Sequence, residues 1–213
     1  MPCFKDILFI HIPKTGGTSL EKYFSRKFRI ILHKKTLYGS PITYKTRFPK
    51  KYFKGLEYTL NLSLQHFSIQ QIWDHRIELG VNFEDLKIIT IVRNPYDKVM
   101  SGLFHKKLIH EKSNQSQVFN AINIYIKMEN IDNHNKPQYT FLMLNGELVN
   151  CIILHTESLK EDLEKHSFTN FNFHENANRK IKDYSIFLNK ESINLINSYY
   201  DLDFKYFGYN KII

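Results

Sequence analysis

The feature that most restricts the fold is the stretch Phe9-Ile10-His11-Ile12-Pro13-Lys14-Thr15-Gly16-Gly17-Thr18-Ser19 near the amino terminus. The apolar run 7–12 reads as a buried strand. Directly after the glycines, Leu20, Tyr23, Phe24 and Phe28 recur at i, i+3, i+4 and i+8, which marks one face of a helix. Thr18 with Glu21 predicts a capping box at its start. A chain passing from strand to helix through two adjacent glycines turns tightly and presents main-chain N–H groups along the turn. The helix N-terminus adds amide donors and partial positive charge. Lys14 contributes a full charge, and Thr15, Thr18 and Ser19 contribute hydroxyls. The arrangement suits an anion of the phosphate or sulfate ester type.

The rest of the chain continues the same alternation. Residues 58–64, 88–92 and 151–155 are further short apolar runs that read as buried strands. Between them lie helical patterns: Val99, Leu103, Leu108 and Ile109 after Pro95, then 118–128, 157–166 and 191–200. Strands alternating with helices predict an α/β fold, a central parallel sheet flanked by helices on both faces. Residues 30–56 and 168–189 are less regular and are expected to form loops over one end of the sheet. No repeat or Pro/Gly/Ser-rich linker divides the chain, and 213 residues suit a single domain, 1–213, with a substantial core. In such folds ligands gather at the carboxyl ends of the strands.

Two more constellations fall at those ends. Arg93 closes the run 88–92 and is followed by Asn94-Pro95-Tyr96-Asp97, with Ser101 eight residues past the arginine. An arginine there points a fork of donors into the ligand crevice, and Ser101, two helical turns on, can add a hydroxyl. Taken alone, the pair better suits an arginine held by a carboxylate and a serine packed within a helix. His66 follows the run 58–64 and so is expected at the same end of the sheet. Its imidazole suits the work of a general base, and suits equally a histidine that only structures the crevice. The glycine loop is not a Walker A loop, GxxxxGK followed by Ser or Thr, because Lys14 precedes the glycines.

The string FIHIPKTGGTSL resembles the 5′-phosphosulfate loop of the sulfotransferases that use 3′-phosphoadenosine 5′-phosphosulfate (PAPS). Among their branches it is most similar to the Golgi carbohydrate, family 2 type, enzymes. Arg93-Asn94-Pro95-Tyr96-Asp97 followed by Ser101 resembles their 3′-phosphate-binding strand and helix, about 80 residues downstream of the loop. The resemblance implies a three-layer, P-loop-like fold, with PAPS as donor and adenosine 3′,5′-bisphosphate as product. It implies that Lys14, Thr15, Gly16, Gly17, Thr18 and Ser19 hold the 5′-phosphate and sulfate, and that Arg93 and Ser101 read the 3′-phosphate. Lys14 and His66 would be catalytic, His66 as the base, although Gln65 stands where many members have Gly or His. Asn176-Ala177-Asn178-Arg179-Lys180 resembles a basic loop over the donor, which brings in Arg179 and Lys180. The runs 138–142, 152–159 and 203–209 resemble further family landmarks, with no role attached to any one residue. No metal cluster is visible in the sequence, and this reading requires none.

Charge bears on the partner. The formal net charge is +9, and no acidic residue lies between Glu21 and Glu57, a segment that carries Lys34, Lys35, Lys50 and Lys51 among other cations. Such a field attracts polyanions or serves only as a solvated face. With the resemblance, the expected acceptor is an anionic glycan rather than nucleic acid. The alternatives are a nucleotide or small-molecule kinase with a P-loop-like fold and a non-catalytic basic polyanion-binding domain. The two cysteines, Cys3 and Cys151, match no metal or redox spacing and favour a reduced compartment, one bridge remaining open. The first residues do not resemble a secretory signal, and no run approaches the roughly 20 apolar residues needed to span a bilayer. A soluble cytoplasmic protein is expected, or one of the Golgi lumen if the chain is cut free of an anchor. The sequence leaves the oligomeric state open.

Overall fold

The structure, a computed structural model, describes residues 3–31, 42–47, 57–62, 64–84, 86–128, 133–172 and 183–213, with backbone only for 42–47, 57–62 and 64. Its first half contains β1 (Cys3–Phe4), β2 (Ile7–Ile10), α1 (Gly17–Phe28), β3 (Ile42–Arg47), β4 (Glu57–Leu62), α2 (Ile69–Asp74), α3 (Arg76–Leu79) and β5 (Lys87–Val92). Then come α4 (Pro95–His105), α5 (Gln115–Lys127), β6 (Met143–Leu144), β7 (Glu147–Leu148), β8 (Ile152–His155), α6 (Leu159–Lys165), α7 (Lys190–Tyr199) and α8 (Asp201–Phe207).

The chain is mixed α/β. Its main sheet has the order β1-β2-β5-β8. β2 pairs parallel with β5, and β5 parallel with β8, so their carboxyl ends lie side by side. β1 adds an antiparallel edge. Side chains alternate across this sheet, as strand geometry requires. Ile7, Phe9, Ile89, Ile91 and Leu154 pack with Leu20, Tyr23 and Phe24 of α1 and Leu163 of α6. Leu8, Ile10 and Val92 pack on the other side with Ile69 and Ile72 of α2, Phe141, Leu142 and Phe207 of α8. Both faces are covered, which is why the central strands are apolar throughout rather than alternating with polar residues. A third cluster joins α4, α5, α7 and α8 through Val99, Leu103, Ile122, Ile196, Tyr200 and Phe204.

Three expectations are corrected. The run 58–64 does not join the parallel sheet; β4 pairs antiparallel with β3 in a separate two-stranded sheet. Only nine residues separate β3 from β4, fewer than the roughly dozen or more that a parallel crossover takes, so the two pair antiparallel. Segment 30–56 is accordingly not all loop, since Ile42–Arg47 is a strand. The capping box is absent: α1 begins at Gly17 after the N-cap Gly16, with no side-chain cap, because Glu21 is turned to other partners. Residues 95–105, 115–127, 159–165 and 190–199 are helical near the expected positions. Asn94 caps α4 by accepting from the Tyr96 amide, and Pro95 sits at its first position, the one interior place that does not need an N–H. Both cysteines are free thiols. Among the described residues, no helix is long and apolar enough to cross a membrane.

Buried phenols knit the helices to the loop after α5. Tyr125 donates to the His134 carbonyl at 2.8 Å, and Tyr200 to the Asn135 carbonyl at 2.8 Å. Burial, foremost, raises the pKa of Tyr125, Tyr200 and Tyr209 above the ordinary value of 10. The unfolded chain therefore ionises first, and the stability these phenols contribute below pH 10 is lost as pH rises past it. Lys98 works the other way: burial pushes its ammonium down to about 8, so between there and 10.5 it adds stability as pH rises. Three phenols outweigh one amine. The melting temperature is expected to fall steeply above pH 10, and Tyr200→Phe to flatten part of that fall while costing about 1 kcal/mol at neutral pH. Thermal unfolding followed by circular dichroism across pH 7–11 checks both, and a flat alkaline limb in the unsubstituted protein would contradict them.

Candidate functional site

The carboxyl ends of β2, β5 and β8 are tied into one surface by a single hydroxyl. Thr156 Oγ1 lies 2.7 Å from the Thr15 carbonyl and 3.0 Å from the Val92 carbonyl, so a residue just past β8 holds both the glycine loop and the end of β5. Arg93 Nη1 donates to the Lys14 carbonyl at 3.3 Å and draws the loop against the second strand. Within the loop, Lys14 has φ 69° and Gly16 φ 90°. At Lys14 the left-handed conformation costs roughly 1 kcal/mol, and these ties hold it in place. Thr15 is buried and donates its hydroxyl to the Ile12 carbonyl at 2.8 Å, closing the turn from inside.

The two glycines have different reasons to be there. Gly16 supplies the positive φ that starts the helix. Gly17 supplies room: a Cβ at that position would stand 2.3 Å from Cδ2 of His11. His11 cannot swing aside, because Nδ1 lies 2.8 Å from Glu21 Oε1 in the core. Glu21 also accepts from Gln65 Nε2 at 3.0 Å. The residue before His66 is thus anchored to the helix that follows the glycine loop.

His66 stands beside the loop. Its ring lies edge-on to His11 at 5.0 Å and edge-on to His134 at 5.0 Å, and His134 stacks on His105 at 5.2 Å. Asn133 Nδ2 donates to the His66 carbonyl at 2.9 Å, fixing its main chain. The expected site residues Lys14, Thr15, Gly16, Gly17, Arg93 and His66 are therefore joined by direct contacts or through Thr156, His11 and Gln65. Thr18 and Ser19 lie in the first turn of α1, Ser19 buried and its amide donating to the Gly16 carbonyl. Ser101 is buried two turns into α4. Arg179 and Lys180, and the basic residues Lys34, Lys35, Lys50 and Lys51, lie outside the described residues.

Several residues that the sequence leaves without a role hold this surface. Gln138 clips Arg93 like an extra strand: its Oε1 accepts from the Arg93 amide and its Nε2 donates to the Arg93 carbonyl, both at 2.9 Å. Asp203, at the start of α8, accepts from the amides of Gln138 and Tyr139 at 2.8 and 2.9 Å. Burial raises its pKa although those amides pull the other way. Glu157 accepts from the Asn94 amide at 2.8 Å and from the Tyr209 hydroxyl at 2.9 Å. Lys98 is fully buried, yet its Nζ donates to the carbonyls of His134 and Lys136 at 3.2 and 3.0 Å. Gly102 makes room for the Tyr125 hydroxyl, which reaches the same His134 carbonyl.

The field at this surface is positive. Burial, then the charges of Lys106, His105, Lys14 and Lys98, push His134 down to about 3, so it is neutral at physiological pH. Asp97, at the start of α4, is raised by burial and partly held down by Arg93. A glycine turn, a helix N-terminus and convergent cations can hold an anion, and an imidazole nearby can exchange a proton with what binds.

No family model, curated protein or solved structure matches this chain.

Gly17→Ala is expected to cost roughly 1–3 kcal/mol, the usual penalty for overfilling a packed site. In a His11→Ala background the same change should cost much less. Urea unfolding of the four proteins measures this; equal costs in both backgrounds would show that the imidazole is not the obstacle.

Proposed function

We propose that this chain is a sulfotransferase that moves a sulfuryl group from PAPS to a hydroxyl of a carbohydrate, on a three-layer, P-loop-like fold. One observation carries the reading: Lys14 and Arg93, ending neighbouring parallel strands, are joined through the 3.3 Å bond from Arg93 to the Lys14 carbonyl. Two cationic residues tied together just past neighbouring strand ends suit a donor with phosphate groups at two positions of its ribose. The residues fit that donor. The positive φ of Gly16 and the N-terminus of α1 suit a 5′-phosphosulfate. Arg93 and Ser101 serve the 3′-phosphate that separates PAPS from ATP.

In this reading the acceptor oxygen attacks sulfur in line with the bond from sulfur to the bridging oxygen. His66 takes the acceptor's proton as the new sulfur–oxygen bond forms. Lys14 meets the charge that builds on the bridging oxygen as the old bond breaks, and adenosine 3′,5′-bisphosphate leaves with the bonding pair. The tethers from Glu21 through Gln65 and from Asn133 to the His66 carbonyl hold the base in place.

Calorimetric titration with adenosine 3′,5′-bisphosphate, AMP and ATP–Mg²⁺ tests the donor. Micromolar binding of the bisphosphate, lost in Arg93→Ala, is the expected result; preference for ATP–Mg²⁺ would favour a kinase instead. Lys14→Ala should lower turnover by roughly a hundredfold or more, and near-normal turnover would remove Lys14 from the chemistry. The acid-free segment between Glu21 and Glu57 supports an anionic glycan as acceptor. Reversing the charges of Lys34, Lys35, Lys50 and Lys51 should then raise acceptor KM several-fold at low salt, and an unchanged KM would refute the anionic acceptor.

A further inference from the structure

The loop after α5 presents a buried imidazole nitrogen with no hydrogen-bond partner among the described residues. Residues 133–135 are otherwise fully engaged. Asn133, at φ 61°, donates to the His66 carbonyl and to Gln71 Oε1 at 3.2 Å. Asn135 donates to the carbonyls of Tyr125 and Met128 at 2.9 and 2.8 Å, and its own carbonyl accepts from Tyr200. The His134 carbonyl accepts from both Lys98 and Tyr125. Yet His134, only 6% exposed, has an Nδ1 with no partner among the described residues. Buried polar atoms are nearly always paired, and an orphan held on so rigid a platform marks a place where a ligand completes the bonding.

The surroundings say what kind of ligand. The His134 ring stands against His66 on one side and His105 on the other. The charges of Lys14, Lys98, Lys106 and His105 all act on it. A further cation has no place there, whereas an oxyanion accepting from Nδ1–H would be attracted by every one of them. Because the imidazole stays neutral in this field, it suits a fixed donor rather than a second base, and His66 keeps the proton-accepting role. We propose that His134 is an oxyanion-binding residue, donating from Nδ1 to the sulfuryl oxygens on the side of the crevice shared with His66. That the anion is the sulfuryl group rests on the function proposed above; that an oxyanion binds there does not.

The test uses the whole protein labelled with ¹⁵N-histidine and titrated with inorganic sulfate, alone and after saturation with adenosine 3′,5′-bisphosphate. Sulfate is expected to move the His134 Nδ1 resonance in both titrations. His134→Leu should weaken sulfate binding roughly tenfold, the worth of one hydrogen bond to a charged group. His134→Asn, whose side-chain amide can stand where Nδ1 stood, should keep the affinity within about threefold of the original. A purely structural histidine would not be rescued in this way. An unmoved His134 resonance, or equal sulfate affinity in the leucine variant, overturns the proposal, and the first outcome needs no variant to fold. Bisphosphate binding is read separately by calorimetry. Its failure would remove the sulfotransferase reading, while the sulfate titration of the free protein would still decide the role of His134.

Discussion

Everything at the candidate site depends on one shared proton, that of Thr156 between the carbonyls of Thr15 and Val92. Parallel pairing sets three strand ends side by side, but it says nothing about the loops that leave them. Those loops carry Lys14, Arg93 and Thr156, and each would wander without a cross-tie. A single hydroxyl, worth about 1 kcal/mol by itself, is placed where all three diverge. Arg93 then adds a second tie to the Lys14 carbonyl. The left-handed turn at Lys14 is held by its neighbours, and the lysine is delivered to the crevice instead of being left on a mobile loop.

The carboxyl-terminal part of the chain acts on the same few atoms from behind. Asp203 holds the amides of 138 and 139, Gln138 holds both main-chain groups of Arg93, and Tyr209 reaches Glu157, which holds the Asn94 amide. Residues more than 60 positions apart thereby converge on one strand-to-helix corner. Preorganisation of this kind matters where charge develops, because donors already in place need no reorganisation when it appears.

How much of this was legible in the sequence follows from how local each cause is. The strand–glycine–helix unit could be read because a strand covered on both faces is apolar and the φ of 90° at Gly16 favours glycine, both conditions set within a dozen residues. The start of α4 was equally plain from Asn94-Pro95. β3 was not, since Ile42–Arg47 carries only Ile42 and Tyr44 among threonines and cations, and its partner begins ten positions after it ends. Glu21 was misread for a similar reason. Its spacing from Thr18 imitates a cap, whereas its real partners are ten residues before it and 44 after it. His134 had no signal at all: its burial is produced by α4, α5 and the His66 segment together, and only their assembly gives its ring a meaning.

Gly16 and Gly17 look alike in the sequence, yet one answers to the backbone and the other to a neighbour in the core. The second is kept in place by the His11 imidazole, and the imidazole by Glu21, with no ligand involved in either link. A descendant of this chain with an altered surface would stay under the same steric pressure to keep that glycine for as long as it folded. Survival of the glycine pair through divergence would therefore record the inheritance of a core rather than of any ligand.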